Sequence, residues 1–276
     1  MSKKTILVTG SNDGIGLALT KVLVRDHGCR VIMTSRSEER GSKARTDIRA
    51  EFPDAEVDLL QLDVCESSSV VAAAGKVKEM GVTLYALVNN AGVGFNAGGD
   101  VIATNFYGPK LCSESFVDLI DAEKGRIVNV SSGAASMWLR NQDDATKALF
   151  SQMPVTSFEA LEDSVKKNKA DASMGGYGLS KAGLTAYTIQ QAAAYPNLIC
   201  TSLSPGFIDT KMTSGFGARL TPEQGTVSLV KCLFDDVTSG FYYGSDGLRS
   251  PLTVARDPGT PEYQGEENPD AAKYNN

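Results

Sequence analysis

The chain has 276 residues and a single histidine. His27 sits beside Gly28 with no second ligand at metal spacing. A histidine-based catalytic triad and a multi-histidine metal centre are therefore both excluded, and His27 is expected to be structural or at the surface. Long apolar runs are missing too: no stretch of about 18 or more apolar residues occurs, so no membrane-spanning helix is expected. The opening Met-Ser-Lys-Lys leads straight into Thr5-Ile6-Leu7-Val8-Thr9, which is too short for the core of a signal peptide and reads as a strand. Positive charge is not in excess. With 27 Lys and Arg against 33 Asp and Glu, the net charge is -6 and the pI about 5.0, which argues against a nucleic-acid surface. The five cysteines (Cys29, Cys65, Cys112, Cys200 and Cys232) are scattered, odd in number and never form Cys-x-x-Cys. They imply reduced thiols in a cytoplasmic setting, without a zinc knuckle or a disulfide frame.

What is present suffices for a full core: 42% of residues are apolar and 22% charged. Strand-like and helix-like segments alternate from the start. Ile6–Val8, Arg30–Thr34, Val57–Leu62, Leu84–Val88, Arg126–Val130 and Leu198–Leu203 read as strands. Ile15–Arg25 and Glu38–Glu51 read as helices, the latter ending before Pro53. This rhythm predicts a single α/β domain, a doubly wound, mainly parallel sheet with helices on both faces and a ligand at the carboxyl ends of its strands. Its expected extent is residues 1–250. Two stretches break the rhythm. From Met137 to Met174 an inserted helix is expected on the surface, with Thr156 and Glu159 at capping-box spacing and Phe158, Leu161 and Val165 as its apolar stripe. Residues 251–276 hold Pro251, Pro258, Pro261 and Pro269 among acidic residues, and are expected to form an extended or mobile polar tail.

Tyr177 and Lys181 stand one helical turn apart, so both side chains leave one face. A free phenol has a pKa of about 10, and an adjacent ammonium lowers it, which makes such a pair suited to proton transfer near neutrality. Between the first strand and first helix lies Thr9-Gly10-Ser11-Asn12-Asp13-Gly14-Ile15-Gly16. Its glycines permit a tight turn and close approach of a pyrophosphate to the helix amino terminus. The second strand ends in Thr34-Ser35-Arg36, with no carboxylate to hold a ribose. Arg36, and Arg40 one turn later, can instead pair with a 2′-phosphate, which predicts NADPH over NADH. Asp13 opposes that reading by adding negative charge to the turn.

Taken together, Thr9-Gly10 to Gly16, Asn89-Asn90-Ala91-Gly92, Ser131-Ser132, Tyr177 to Lys181 and Pro205-Gly206 resemble, in order, the motifs of the short-chain dehydrogenase/reductase family. The resemblance spans roughly residues 5 to 250. It implies that Tyr177 is the general acid, that Lys181 lowers its pKa and bonds the nicotinamide ribose, that Ser132 polarises the carbonyl, and that Asn105 holds a proton-relay water. It also implies a cofactor site. Gly10, Ser11, Asn12, Gly14, Ile15 and Gly16 would form the phosphate turn, with Arg36 and Arg40 at the 2′-phosphate. Asp63 and Val64 would contact the adenine, and Asn90, Ala91 and Gly92 would line the cofactor. Pro205, Gly206, Ile208 and Thr210 would cover the nicotinamide.

Ser132 and Tyr177 are 45 positions apart, where most of the family places them much closer. That gap, with Thr34-Ser35-Arg36 and Thr104-Asn105-Phe106-Tyr107-Gly108, resembles the carbonyl reductase subgroup, which includes plant salutaridine and menthone reductases. In that subgroup the insertion covers the surface used elsewhere for a four-helix interface, so a monomer is expected. Phe95, Met137, Trp138, Met174 and Phe207 are candidate apolar walls of the substrate pocket. The expected activity is reduction of a ketone, aldehyde or quinone by NADPH. The alternatives are an alcohol dehydrogenase working oxidatively, a sensor that binds NADPH without chemistry, and a methyltransferase, against which Arg36 and the Tyr–Lys pair both speak.

Overall fold

Successive strand residues face opposite sides of a sheet, and this chain buries both sides. The computed structural model describes residues 3–94, 99–151, 157–169 and 174–275. In β1 (Thr5–Val8), Ile6 and Val8 enter one apolar layer and Leu7 the other. The same alternation holds in β2 (Arg30–Ser35), where Val31 and Met33 oppose Ile32. The first layer is closed by Leu19 and Leu23 of α1 (Gly14–His27) and by Ala44 and Ile48 of α2 (Glu38–Glu51). β3 (Val57–Gln61) leads to α3 (Ser67–Glu79), whose Val70 and Val77 enter the second layer.

β4 (Ala86–Asn89) is followed by a π-helical turn, Ala103–Tyr107, running into α4 (Gly108–Phe116). β5 (Arg126–Val130) precedes α5 (Gly133–Arg140), α6 (Asp144–Ser151), α7 (Phe158–Asn168) and α8 (Tyr177–Ala194). β6 (Ile199–Leu203), α9 (Val227–Phe234), β7 (Tyr242–Tyr243) and the short α10 (Ala271–Tyr274) complete the chain. The seven strands lie in the order β3-β2-β1-β4-β5-β6-β7, and every pairing is parallel. This is the doubly wound, Rossmann-type sheet expected from the sequence. Chain order reverses between β1 and β4, and the carboxyl ends of strands diverge there into a crevice that suits a ligand.

Contrary to expectation, the insertion is more than one helix laid on the surface. It adds α6 and α7 and builds a third apolar cluster. Leu161 and Val165 of α7 are fully buried, and Phe158 stacks on Phe106 at 5.5 Å and meets Tyr187 edge-on at 5.7 Å. α7 is capped by Ser157, whose hydroxyl accepts the Ala160 N–H; Thr156, the expected cap, lies outside the described residues. Covered on this side, α8 is buried almost all round from Gly178 to Gln191. A Cβ at Gly183 would lie 3.0 Å from the Phe106 ring and 3.3 Å from Val165, so glycine lets the layers close.

Residues 251–275 also depart from expectation, because they fold back onto the domain. Leu252 packs against the third cluster and Tyr274 is fully buried. The Arg256 guanidinium is fully buried and grips Asp246 through two parallel bonds of 2.8 and 2.6 Å, while its other donors reach the carbonyls of Thr260 and Pro261. The prolines stop regular structure here without preventing packing. Arg256→Met is therefore expected to leave Asp246 partly buried and unpaired, costing about 3 kcal/mol in urea unfolding. Arg256→Met with Asp246→Leu should cost less than Arg256→Met alone.

Candidate active site

The glycine turn is built from the inside. Ser11 is fully buried; its hydroxyl donates to the Val8 carbonyl at 3.0 Å and accepts the Thr34 N–H at 2.9 Å, while its own N–H donates to the Thr34 carbonyl. Ser11 is thus a strut that ties the turn to β2, and it has no donor left for a phosphate. Gly10 and Gly14 adopt φ of 62° and 53°, the left-handed region open to glycine. A Cβ at Gly16 would lie 2.4 Å from Asn90 Nδ2 and 2.7 Å from the Gly10 carbonyl oxygen. Asn90 in turn donates to the carbonyls of Thr9 and Gly10, and the N–H groups of Asn90 and Ala91 bond the Thr9 hydroxyl. The loops after β1 and β4 are therefore one unit, with the amino terminus of α1 aimed into the crevice. Asn12 and Ile15 lie half-buried on this turn.

At the carboxyl end of β5, Ser132 caps α5, accepting the Ala134 N–H at 3.2 Å. Two left-handed glycines, Gly175 and Gly176, turn the chain into Tyr177, the first residue of α8. A Cβ at the next residue, Gly178, would stand 3.0 Å from the Ala134 carbonyl oxygen and 2.9 Å from Trp138 Cβ. Glycine there lets α5 and α8 approach, which sets the Ser132 hydroxyl beside the Tyr177 phenol. Burial pushes the Tyr177 phenol above its ordinary pKa, and the neighbouring Ser132 hydroxyl opposes that rise.

Lys181 is buried. Its ammonium donates to the Val130 carbonyl at 2.8 Å and lies 5.9 Å from the centre of the Tyr177 ring. Desolvation brings its pKa down to about 8. The expected lowering of the phenol by Lys181 is therefore not the dominant effect, because burial draws both groups toward their neutral forms. Asn105 lies in the π-helical turn, fully buried. Its Oδ1 accepts the Val93 N–H, and its two amide protons go to the Val93 carbonyl and the Ser180 hydroxyl. Asn105 fixes the loop after β4 against α8, and only a second lone pair on Oδ1 remains for a water. A Cβ at Gly92 would lie 3.1 Å from Asn105 Oδ1 and 3.5 Å from Lys181 Nζ, so this glycine opens the space between them.

The remaining expected residues fall around the crevice. Arg36 is 70% exposed beyond β2, with Asp63 3.9 Å away; Arg40 is exposed on the first turn of α2. Val64 is buried against Gly108. Pro205 is buried and Gly206 has φ of 95°. Ile208 is buried, with its side chain against Gly225, and the Thr210 methyl lies 3.5 Å from where a Gly14 Cβ would be. The loop after β6 thus meets the glycine turn, and Lys211 seals the contact with a 2.5 Å ion pair to Asp13. That pair holds the Asp13 carboxyl below its ordinary pKa and offsets the charge that counted against a phosphate.

Of the proposed pocket walls, Met137 and Phe207 are about half exposed. Trp138 packs against Gly178 and Phe150, so it supports α8 rather than an open pocket. Phe95 and the side chain of Met174 lie outside the described residues. Lys211 and Ser204 help hold the site together but were not singled out from the sequence. Lys211 stands 198 residues from its partner, and no local pattern reports such a pair. Among the described residues, no cluster of His, Cys, Asp or Glu could hold a metal, and no helix is long and apolar enough to cross a membrane.

A parallel doubly wound sheet with a glycine-cradled helix terminus beside a Ser–Tyr–Lys group defines a dinucleotide-dependent oxidoreductase. The chain belongs to the short chain dehydrogenase family, a family that uses a nicotinamide cofactor; the family match covers residues 4–153. It is 31% identical over 266 residues to (+)-neomenthol dehydrogenase of Arabidopsis thaliana, covering 82% of this chain and 89% of that protein. It is 30% identical over 249 residues to carbonyl reductase (NADPH) 1 of Mus musculus, covering 81% and 88%. Salutaridine reductase from Papaver somniferum superposes with a TM-score of 0.78 at 25% identity, covering 87% of this chain and 99% of that one.

The buried ammonium carries a stability consequence. Between about pH 8 and the ordinary lysine value of 10.5, the unfolded chain holds a proton on Lys181 that the folded chain has lost. Folding stability attributable to this group therefore rises with pH across that window. Lys181→Met is expected to be more stable than the natural protein at pH 7, with the gap narrowing by about 1.4 kcal/mol per pH unit above pH 8. Urea unfolding of both proteins from pH 7 to 10 checks this; a constant gap would show that burial does not strain Lys181.

Proposed function

We propose that this protein is an NADPH-dependent carbonyl reductase, converting a ketone, aldehyde or quinone to an alcohol. The observation that carries the reading is the Ser132 hydroxyl facing the buried Tyr177 phenol, with the Lys181 ammonium one turn below. The residues present fit a nicotinamide dinucleotide: the Gly16 cradle excludes a Cβ, the amino terminus of α1 faces the crevice, and Arg36 and Arg40 are exposed beyond β2. When bound, the cofactor supplies the hydride that reaches the carbonyl carbon.

Ser132 donates to the carbonyl oxygen and polarises it, and Tyr177 gives that oxygen its proton. As negative charge develops on Tyr177, the Lys181 ammonium becomes its counter-charge in a site with little water. Two of the three Lys181 donors remain beyond the one used by Val130, and they suit a ribose hydroxyl. Asn105 holds Gly92 and Val93 in place beside this group. Arg36 and Arg40 bind a 2′-phosphate, in keeping with the NADPH in the mouse relative's name.

Exposed Met137 and Phe207 favour an apolar substrate. Five unpaired cysteines, four of them buried, suit a reducing, cytoplasmic setting. With α7 packed on the outer face of α8, the chain works as a monomer, and a stable tetramer in light scattering would contradict this. Screening carbonyl compounds by NADPH oxidation should give turnover, with kcat/KM at least about tenfold higher for NADPH than NADH, a difference of about 1.4 kcal/mol. Tyr177→Phe should lower kcat by about 100-fold or more while NADPH still binds. Equal use of both cofactors would refute the arginine reading, and an active Tyr177→Phe protein the acid.

A further inference from the structure

Ser204 stands between the end of β6 and Pro205. Its backbone is held on both sides, with its N–H donating to the Tyr243 carbonyl at 2.9 Å and its carbonyl accepting the Ser228 hydroxyl at 3.2 Å. Its side-chain oxygen accepts two amide protons, from Gly133 at 3.1 Å and from Gly206 at 3.3 Å. Gly133 directly follows Ser132 and opens α5. Gly206 belongs to the left-handed turn of the loop after β6. One oxygen therefore bridges the helix that carries Ser132 and the loop proposed to cover the nicotinamide.

A hydroxyl has two acceptor sites and one proton. Both acceptor sites of Ser204 are taken by amides, so only its proton is left to give. The buried Tyr242 phenol lies on the Ser204 side of this bridge, near Ser136, whose hydroxyl donates to the Pro251 carbonyl at 3.2 Å.

We propose that Ser204 is a positioning residue that, through its bonds to the Gly133 and Gly206 amides, sets Ser132 and the Pro205–Gly206 turn at the separation hydride transfer needs. The inference rests on the reductase reading, since it assigns the spacing that chemistry would use. A misplacement of about 1 Å at reacting groups can cost about 100-fold in rate, so a lost bridge should be felt in kcat more than in binding.

The test compares Ser204→Ala with Ser204→Thr, the variant that retains the hydroxyl. Ser204→Ala should lower kcat by about tenfold with carbonyl KM changed by less than about twofold. Ser204→Thr should recover most of kcat. Amide hydrogen exchange by NMR should show Gly133 and Gly206 both exchanging faster in Ser204→Ala, a readout independent of turnover. If the natural protein reduces no carbonyl, the reductase reading fails, and the exchange data still decide whether Ser204 holds both amides. If it reduces carbonyls but kcat survives Ser204→Ala, the positioning inference is overturned and the reductase reading stands.

Discussion

Lys181 places an ammonium where water does not reach, and the rest of the site is arranged around that. The charge keeps a partner because α8 lies against the carboxyl end of β5, where the Val130 carbonyl accepts at 2.8 Å. The hydroxyls of Ser131 and Thr185, 2.7 Å apart, both bond the Lys181 backbone carbonyl and hold the helix at that height. Gly178 allows α5 to come close enough for Ser132 to meet Tyr177, and Gly183 admits Phe106 and Val165. A bulkier residue at either position would lift α8 away and strand the charge. Desolvation strains Lys181, and the surrounding packing must outweigh that strain.

The insertion and the C-terminal segment supply much of that packing. α7 closes the outer face of α8 with Leu161, Val165 and Phe158, so the helix bearing Tyr177 and Lys181 is covered on nearly every side. The C-terminal segment reaches the same helices from another direction, through Leu252 and the Pro251 carbonyl, and is locked by the Arg256–Asp246 pair. Both segments fall outside the repeating strand-helix pattern, yet both bear on the site. The glycine turn is supported differently, by the Asn90 and Thr9 bonds that join two loops and by the Lys211–Asp13 ion pair.

Much of this was legible in the residues. Strand alternation such as Ile6 and Val8 against Leu7 announced a sheet buried on both faces, and β5 and α2 fell on the boundaries read from sequence. Tyr177, Lys181, Ser132 and the glycine turn were legible because their spacing is local: one turn of helix, or one strand-to-helix junction. The structure brings them together. Ser11 was misjudged because a serine in a phosphate turn can face the anion or brace the turn, and only the Thr34 bonds show that it braces. The C-terminal segment was misjudged because proline and acid content report a lack of regular structure, which does not prevent packing.

What the sequence determined alone was periodicity and chemistry: which faces are apolar, where the chain must turn through glycine, and which side chains can move a proton. These depend on neighbours within about one helical turn, and a one-dimensional pattern retains them. The tertiary structure decided which distant groups share a charge, a proton or a wall. Lys211 meets Asp13, Arg256 meets Asp246, Gly133 meets Ser204, and burial rather than Lys181 dominates the pKa of Tyr177. Such pairings arise from packing that brings remote segments within hydrogen-bond range and excludes water from between them. Desolvation belongs to the folded volume and leaves no signature in the order of residues.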